Sequence, residues 1–271
     1  VELQQLNQRG LTIEGDNLIW TPSQSRMVIN QRPKANDGQT QIRSREIAFQ
    51  QDNELLVFSG PTQLNRFDES NAASTVVRGG SGTWNLRSGL MQAPGPVEAV
   101  RSNGRTLSAS GLDGNTREGY LDLQQPVTLV LENDRGRITA GLTRWLFSAK
   151  QLQSDQPVQA VLQNSKVQGT GFKLDERSGT VIISSSCRVL QKMETLTAQR
   201  CAWNWRSERV VADGDVVLQR TNPEQITRAS RMEAKISDDG EIRFGQSGAR
   251  VESTIKLSPA TQEKHRRPQV T

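Results

Sequence analysis

The chain has 271 residues, 34% of them hydrophobic and 23% charged, with a net charge of +5 and a pI near 9.5. That apolar share is low for a spherical core and suits an extended all-β chain whose elements each hide one thin face. No run of 18 or more apolar residues is present, so no membrane-spanning helix is predicted.

In chain order, the opening VELQQLNQRG reads as a mature or trimmed start. A shared design then recurs: LTIEGDNLIWTPSQSRMVINQRPKAN, QIRSREIAFQQDNELLVFSGPTQLNR, the looser SGTWNLRSGLMQAPGPVEAV, TLSASGLDGNTREGYLDLQQPVTLVL, ITAGLTRWLFSAKQLQSDQPVQAVLQ, KVQGTGFKLDERSGTVIISSSCRVLQ, TLTAQRCAWNWRSERVVADGDVVLQR and the looser QITRASRMEAKISDDGEIRFGQSGARVES. Trp20, Trp84, Trp145 and Trp203 set a beat, with separations of 64, 61 and 58 residues. A Pro, Gly or Ser step near Val97, Val127, Val158, Cys187, Val216 and Ala249 recurs with gaps of 30, 31, 29, 29 and 33. This predicts eight units of about 30 residues stacked on their neighbours.

Within each unit the period is two. Leu107, Ala109, Leu121, Leu123, Val127, Leu129 and Leu131 share odd parity, and Trp203 shares a face with Trp205. Such alternation predicts strands with one buried face. Asp37-Gly38, Asp113-Gly114, Ser178-Gly179, Asp213-Gly214 and Asp239-Gly240 are read as turns. RGGSG, 78–82, is read as a connection. Residues 222–234 could start a helix at Asn222-Pro223, but their place in the repeat favours a strand. The expected fold is all-β: an elongated sandwich or jellyroll of two facing antiparallel sheets with open ends, one domain over 1–257, then a basic tail over 258–271.

The positive charge favours anionic partners, yet the basic residues stand singly among acids, as on a solvated face. Only Lys264, His265, Arg266 and Arg267 cluster, in the tail. The aromatics keep the parity of nearby Leu and Val, so few stacking platforms remain for nucleic acid, and no nucleic-acid partner is expected. No phosphate loop, dinucleotide signature or nucleophile elbow is found. His265, the one histidine, is poorly placed for a catalytic triad. Two carboxylate pairs could act as acid and base, Asp213 with Asp215 and Asp238 with Asp239; both sit at Asp-Gly steps that the repeat already predicts. No catalytic residue, cofactor or metal site is expected. Cys187 and Cys201 form either one disulfide or two separate buried thiols.

The stretch 196–253 resembles the periplasmic lipopolysaccharide-export proteins of the LptC and LptA (OstA-like) group. The residues that carry the likeness are Ala198, Trp203, Val210, Gly214, Val216 and Leu218, then Ile226, Ala229, Met232 and Ala234. Weaker copies extend it over most of the chain, and the length is similar to the long cyanobacterial LptC form. The resemblance implies a β-jellyroll open along one side that conducts lipopolysaccharide from an inner-membrane ABC transporter toward the outer membrane. It implies partners of the LptB, LptF and LptG type, an LptA-type jellyroll joined by edge-strand pairing, and a periplasmic location with an inner-membrane tether outside this chain. An LptA-like bridge or an extracytoplasmic scaffold or adhesin are the alternatives. Inward parity nominates Trp20, Phe49, Trp84, Leu107, Leu123, Leu129, Trp145, Phe147, Phe172, Ile183, Trp203, Trp205, Met232 and Phe244 as lipid-groove candidates.

Overall fold

The structure, a computed structural model, describes residues 2–4, 12–36, 38, 40–67, 73–102, 104–131, 136–162, 165–235, 241–245 and 250–256. The described residues hold 28 strands, the 3-10 turn Pro22–Gln24 and no α-helix. The stretch 222–234 is strand, within Glu224–Lys235, as the repeat predicts. The basic tail at 258–271 lies outside the described residues.

The chain divides into two compact units, Val1–Gln156 and Pro157–Thr271. Sequence reading expected a single domain over 1–257. The repeat continues unchanged through residue 156, so its pattern carries no mark of the division.

In the first unit the strands form two antiparallel ladders, and the chain visits them two strands at a time. Ladder A contains Asn17–Thr21, Arg26–Gln31, Glu46–Gln50, Leu55–Ser59, Gly82–Asn85, Leu90–Ala93, Leu112–Asn115, Tyr120–Leu123 and Thr143–Leu146. Ladder B contains Glu2–Gln4, Thr12–Glu14, Lys34–Asn36, Thr40–Arg43, Thr62–Phe67, Ala73–Gly79, Val97–Arg101, Thr106–Ala109, Val127–Val130 and Gly136–Ala140. One repeat is therefore a hairpin in A followed by a hairpin in B.

The recurring Pro or Ser step is the bend from A to B. Val97 and Val127 are the first ladder-B residues after it, both buried, each preceded by a proline. Proline fits here because the bend interrupts pairing and needs no N–H donor. RGGSG, read as a connection, makes the reverse bend, from Ala73–Gly79 into Gly82–Asn85.

In the second unit the same bend falls inside continuous strands. Ser165–Asp175, Thr180–Leu190, Arg209–Thr221 and Glu224–Lys235 each turn midway from one ladder to the other. Register shifts mark the turning points between Gln168 and Thr170 and between Asp213 and Val216. Two of the expected turns are corrected here. Asp213-Gly214 is a bulge within a strand, with positive φ at Gly214 (77°) and Asp215 (47°), so it bends the strand without reversing it. Asp113-Gly114 is paired strand; the reversal comes later, at Thr116–Gly119. Gly114 is needed there because a Cβ would stand 2.5 Å from the Tyr120 carbonyl oxygen and 2.7 Å from Leu121 Cα. Ser178-Gly179 is a turn with φ 72° at the glycine. Asp37 and Asp239-Gly240 lie outside the described residues.

Cys187 and Cys201 form a disulfide, with Cα atoms 5.9 Å apart. Cys187 follows the bend of Thr180–Leu190, and Cys201 lies in Arg200–Asn204, so the bond ties neighbouring strands at the bend.

Candidate functional site

The inner faces are built from cross-strand rows. On ladder A of the first unit, register aligns Trp20, Met27, Phe49, Leu56, Trp84, Met91, Gly114, Leu121, Trp145 and Leu152 in one row. For the three tryptophans of the first unit the beat is thus a spatial row: about sixty residues is two repeats, which returns the chain to the same row four strands on. Closer to the bend runs a second row, which includes Ile29, Ile47, Phe58, Leu112 and Leu123. On ladder B, Ile13, Ala35, Ile42, Leu64, Val77, Ala99, Leu107, Leu129 and Ile138 form a third. The third row faces the first two across the unit's interior, since Arg101 of ladder B lies over the Trp145 ring of ladder A at 5.5 Å.

In the second unit Phe172, Ile183, Cys201, Ala212, Met232 and Phe244 fall in one row. Leu174, Val181, Trp203, Val210, Ala234 and Ile242 fall in the next.

The nominated residues sort clearly by exposure. Phe49, Trp84, Leu107, Leu123, Leu129, Trp145, Phe172, Ile183 and Met232 are buried. Phe147, Trp203, Trp205 and Phe244 are half-buried, at strand ends or on the last strands of a ladder. Trp20 is 58% exposed and corrects the inward expectation. Its row holds a neighbour on one side only, Met27, because Asn17–Thr21 is paired on a single side among the described residues. Ile19 beside it is also exposed.

Indole environments differ between the units. Trp84 Nε1 donates to Thr116 Oγ1 at 3.1 Å. Trp203 Nε1 is buried and has no hydrogen-bond partner among the described residues. Trp145 stacks edge-on with Phe147, and Trp203 with Trp205, each pair at 6.4 Å between centroids.

Two features escaped sequence reading. The first is a turn device that occurs in both units. Asn85, Asn115, Asp175 and Asn204 accept backbone N–H bonds from residues two or three further on, at 2.8–3.1 Å. Residues with positive φ follow at Gly89, Gly119, Gly179 and Glu208. Arginines in these turns brace neighbouring turns: Arg117 donates to the Leu86 carbonyl at 3.0 Å, and Arg206 to those of Arg177 and Glu176 at 2.7 and 2.8 Å. The signal was visible as Asn or Asp, then Arg two residues later, then Gly or Glu.

The second is a cationic row on the inner face of ladder B, one step from the apolar row and away from the bend. Register places Thr40, Arg66, Thr75 and Arg101 side by side. Arg105 pairs next to Arg101, which donates its N–H to the Arg105 carbonyl at 2.9 Å. Arg66 lies over the Phe147 ring at 4.6 Å. The parity that made Leu64 and Ala99 inward residues also makes Arg66 and Arg101 inward. Charge counted along the chain hid it.

Several ion pairs among the described residues lie on exposed or half-exposed positions. Arg144 clasps Asp122 with two bonds of 2.7 Å and covers Tyr120. Lys34 pairs with Glu14. The carboxylate pair Asp213 and Asp215 is divided between different partners. Asp213 sits between Arg231 (2.6 Å) and Arg200 (3.5 Å), and Asp215 accepts from Gln199 at 2.8 Å. Glu233 joins the same network and is held below its ordinary pKa first by the Arg231 hydrogen bond. Its exposure keeps the contribution to stability small. Asp238 and Asp239 lie outside the described residues. No cluster of metal-ligating side chains occurs among the described residues.

No protein-family model matches the chain. No curated protein matches it either. Among solved structures it is similar to LptH of Pseudomonas aeruginosa, described as the LptA homologous periplasmic component of the lipopolysaccharide transport device, at 9% identity, with 91% of this chain and 95% of that chain covered and a TM-score of 0.19.

Proposed function

We propose that the chain shelters the acyl chains of lipopolysaccharide between its two ladders and passes the lipid on. It acts as a periplasmic member of an export machinery that receives its cargo from an inner-membrane ABC transporter. The observation that carries this reading is the continuous apolar row from Met27 to Leu152 on ladder A, faced by the aliphatic row of ladder B. A chain of methylenes gains about 0.8 kcal/mol per buried CH₂ in such surroundings. The repeat's likeness to the LptC and LptA group supports the same reading, and the disulfide suits an oxidising compartment.

The lining is closed as it stands: Leu56 and Ile42 are fully buried. Lipid entry therefore requires the ladders to part at the mouth, with the bends as the hinge. Partner jellyrolls of the LptA type, and a transporter of the LptB, LptF and LptG type, would engage strands paired on one side only. Asn17–Thr21 with exposed Ile19 and Trp20, and Glu252–Ile255 with exposed Ile255, offer such edges among the described residues. LptC and LptA-like roles differ in the order of transfer, with the LptC role the leading one.

The test is a displacement titration. The purified chain is expected to take up N-phenyl-1-naphthylamine, with a rise in its fluorescence, and to release it when lipid A is added. A chain with a solid core, such as a scaffold or adhesin, takes up no probe. That outcome, or retention of the probe in excess lipid A, contradicts the proposal.

A further inference from the structure

We infer that the indole N–H of Trp203, at the mouth of the second unit, receives the carbonyl oxygen of an ester- or amide-linked acyl chain. This rests on the lipid-carrying reading above and says where along its length the cargo is held: at the joint between head and chain.

Indole carries one hydrogen-bond donor, and a buried donor is nearly always paired in a folded protein. Trp203 Nε1 is buried and has no hydrogen-bond partner among the described residues. Its row explains why. Register places Val181 and Val210 on either side of it, with Leu174 and Ala234 beyond. None of these side chains holds an oxygen or a nitrogen.

The first unit supplies a contrast. Trp84 and Trp203 share a local setting: each is followed by an asparagine that accepts backbone N–H bonds in the next turn, Asn85 and Asn204. Yet Trp84 Nε1 donates to Thr116 Oγ1 at 3.1 Å. Register runs from Trp84 through Met91 to Gly114, and Thr116 stands two residues past Gly114. From Trp203 the register runs through Val210 to Ala234. Two residues past Ala234 the sequence has Ile236, whose side chain holds no acceptor. The acceptor that serves Trp84 is thus not repeated for Trp203.

The surroundings suit a chain with a carbonyl at its end. Two residues closer to the bend, roughly 7 Å, runs the row of Phe172, Ile183, Ala212 and Met232, all buried and apolar. In the row of Trp203 itself, Leu174 and Val181 are buried, whereas Trp203, Val210, Ala234 and Ile242 are half-buried. From Trp203 onward the apolar lining is therefore partly open to solvent. Trp205, one step further from the bend, stands edge-on to Trp203 with 6.4 Å between centroids. An acyl linkage fits this order, with its methylenes toward the bend and its carbonyl oxygen at the indole. The nitrogen is covered in the closed chain, so the carbonyl reaches it as the ladders part to admit the lipid. A bond made only in the parted state favours that state.

Three neutral amphiphiles that differ at one linkage test this: 1-decanoylglycerol, an ester; N-decanoylserinol, an amide; and the decyl ether of glycerol. Each is used below its aggregation concentration to displace N-phenyl-1-naphthylamine from the full chain. At least one carbonyl amphiphile is expected to bind about fivefold more tightly than the ether, the worth of one neutral hydrogen bond. The tighter of the two identifies the linkage. Trp203→Phe keeps an aromatic ring and removes the donor. It should erase the preference and leave ether binding within about twofold. In a chain labelled with nitrogen-15 tryptophan, the indole resonance missing from Trp203→Phe should move downfield with the preferred carbonyl amphiphile and stay in place with the ether. A role in packing alone would not separate the two ligands. The comparison of ester, amide and ether in the wild-type chain stands even where the variant folds poorly. Equal binding of all three, a preference that survives Trp203→Phe, or an indole resonance that responds alike to carbonyl and ether overturns the inference and leaves the lipid-carrying reading intact. Displacement by none of the three removes that reading, and the inference with it.

Discussion

Replacing Trp84 by alanine is expected to destabilise the first unit by about 3–5 kcal/mol. The side chain is 7% exposed and lies in the middle of the ladder-A row, flanked in register by Leu56 and Met91. Its loss leaves a cavity that short strands paired on both sides cannot collapse to fill. It also removes the donor to Thr116 Oγ1, which itself donates to the Gly89 carbonyl at 3.1 Å. Phenylalanine at the same position separates the two contributions, since it keeps most of the volume and loses the hydrogen bond, at about 1 kcal/mol. Hydrogen exchange should place the loss of protection in peptides covering Leu55–Ser59 and Leu90–Ala93, with the second unit unchanged. A variant with unaltered exchange there would show that Trp84 is not a packing element of the row.

Reduction of the Cys187–Cys201 disulfide is the second large effect, about 2–4 kcal/mol from the second unit. The closed loop spans 14 residues, and constraint of a loop of that size removes about 3 kcal/mol worth of unfolded-state entropy. The location adds to this. Cys187 and Cys201 are both buried and flank the bend, where ladder hydrogen bonding is interrupted and the backbone carries positive φ at Ser186. A covalent tie holds adjacent strands in register where pairing is weakest. Urea unfolding with and without reductant, repeated on Cys187→Ala with Cys201→Ala, measures it. The reduced protein and the double variant should share a lowered midpoint for the second unit. A midpoint indifferent to reductant would contradict this account of the bend.

Much of the architecture was written into the sequence because two periodicities are locked together. The period of two fixes which residues face inward. The repeat of about thirty fixes how often the chain returns to the same row. Together they make Trp20, Trp84 and Trp145 row-mates, and they make the proline before Val97 and Val127 a bend. Other features depended on facts that a linear pattern does not hold. Asp113-Gly114 has turn residues but stays in a strand, because what matters there is the nearness of Tyr120 and Leu121 on the paired strand. Asp213-Gly214 bends a strand without ending it, a choice made by the hydrogen-bonded partners on either side. Trp20 has inward parity but is exposed, because burial requires a strand on each side and parity does not count neighbours. The cationic row needed the register between Thr40–Arg43, Thr62–Phe67, Ala73–Gly79 and Val97–Arg101, which hairpin length sets and composition does not reveal.

The central claim is that the apolar interior between the ladders receives lipid. Its most direct test is site-specific photo-crosslinking with lipid A in the full chain, placing a benzophenone side chain at Leu129 and at Leu107 on the inner row of ladder B, and at their neighbours Thr128 and Ser108 on the opposite face. The account predicts lipid adducts from Leu129 and Leu107 and none from Thr128 or Ser108. Adducts confined to Thr128 and Ser108 would contradict it, as would the absence of any adduct from the inner row.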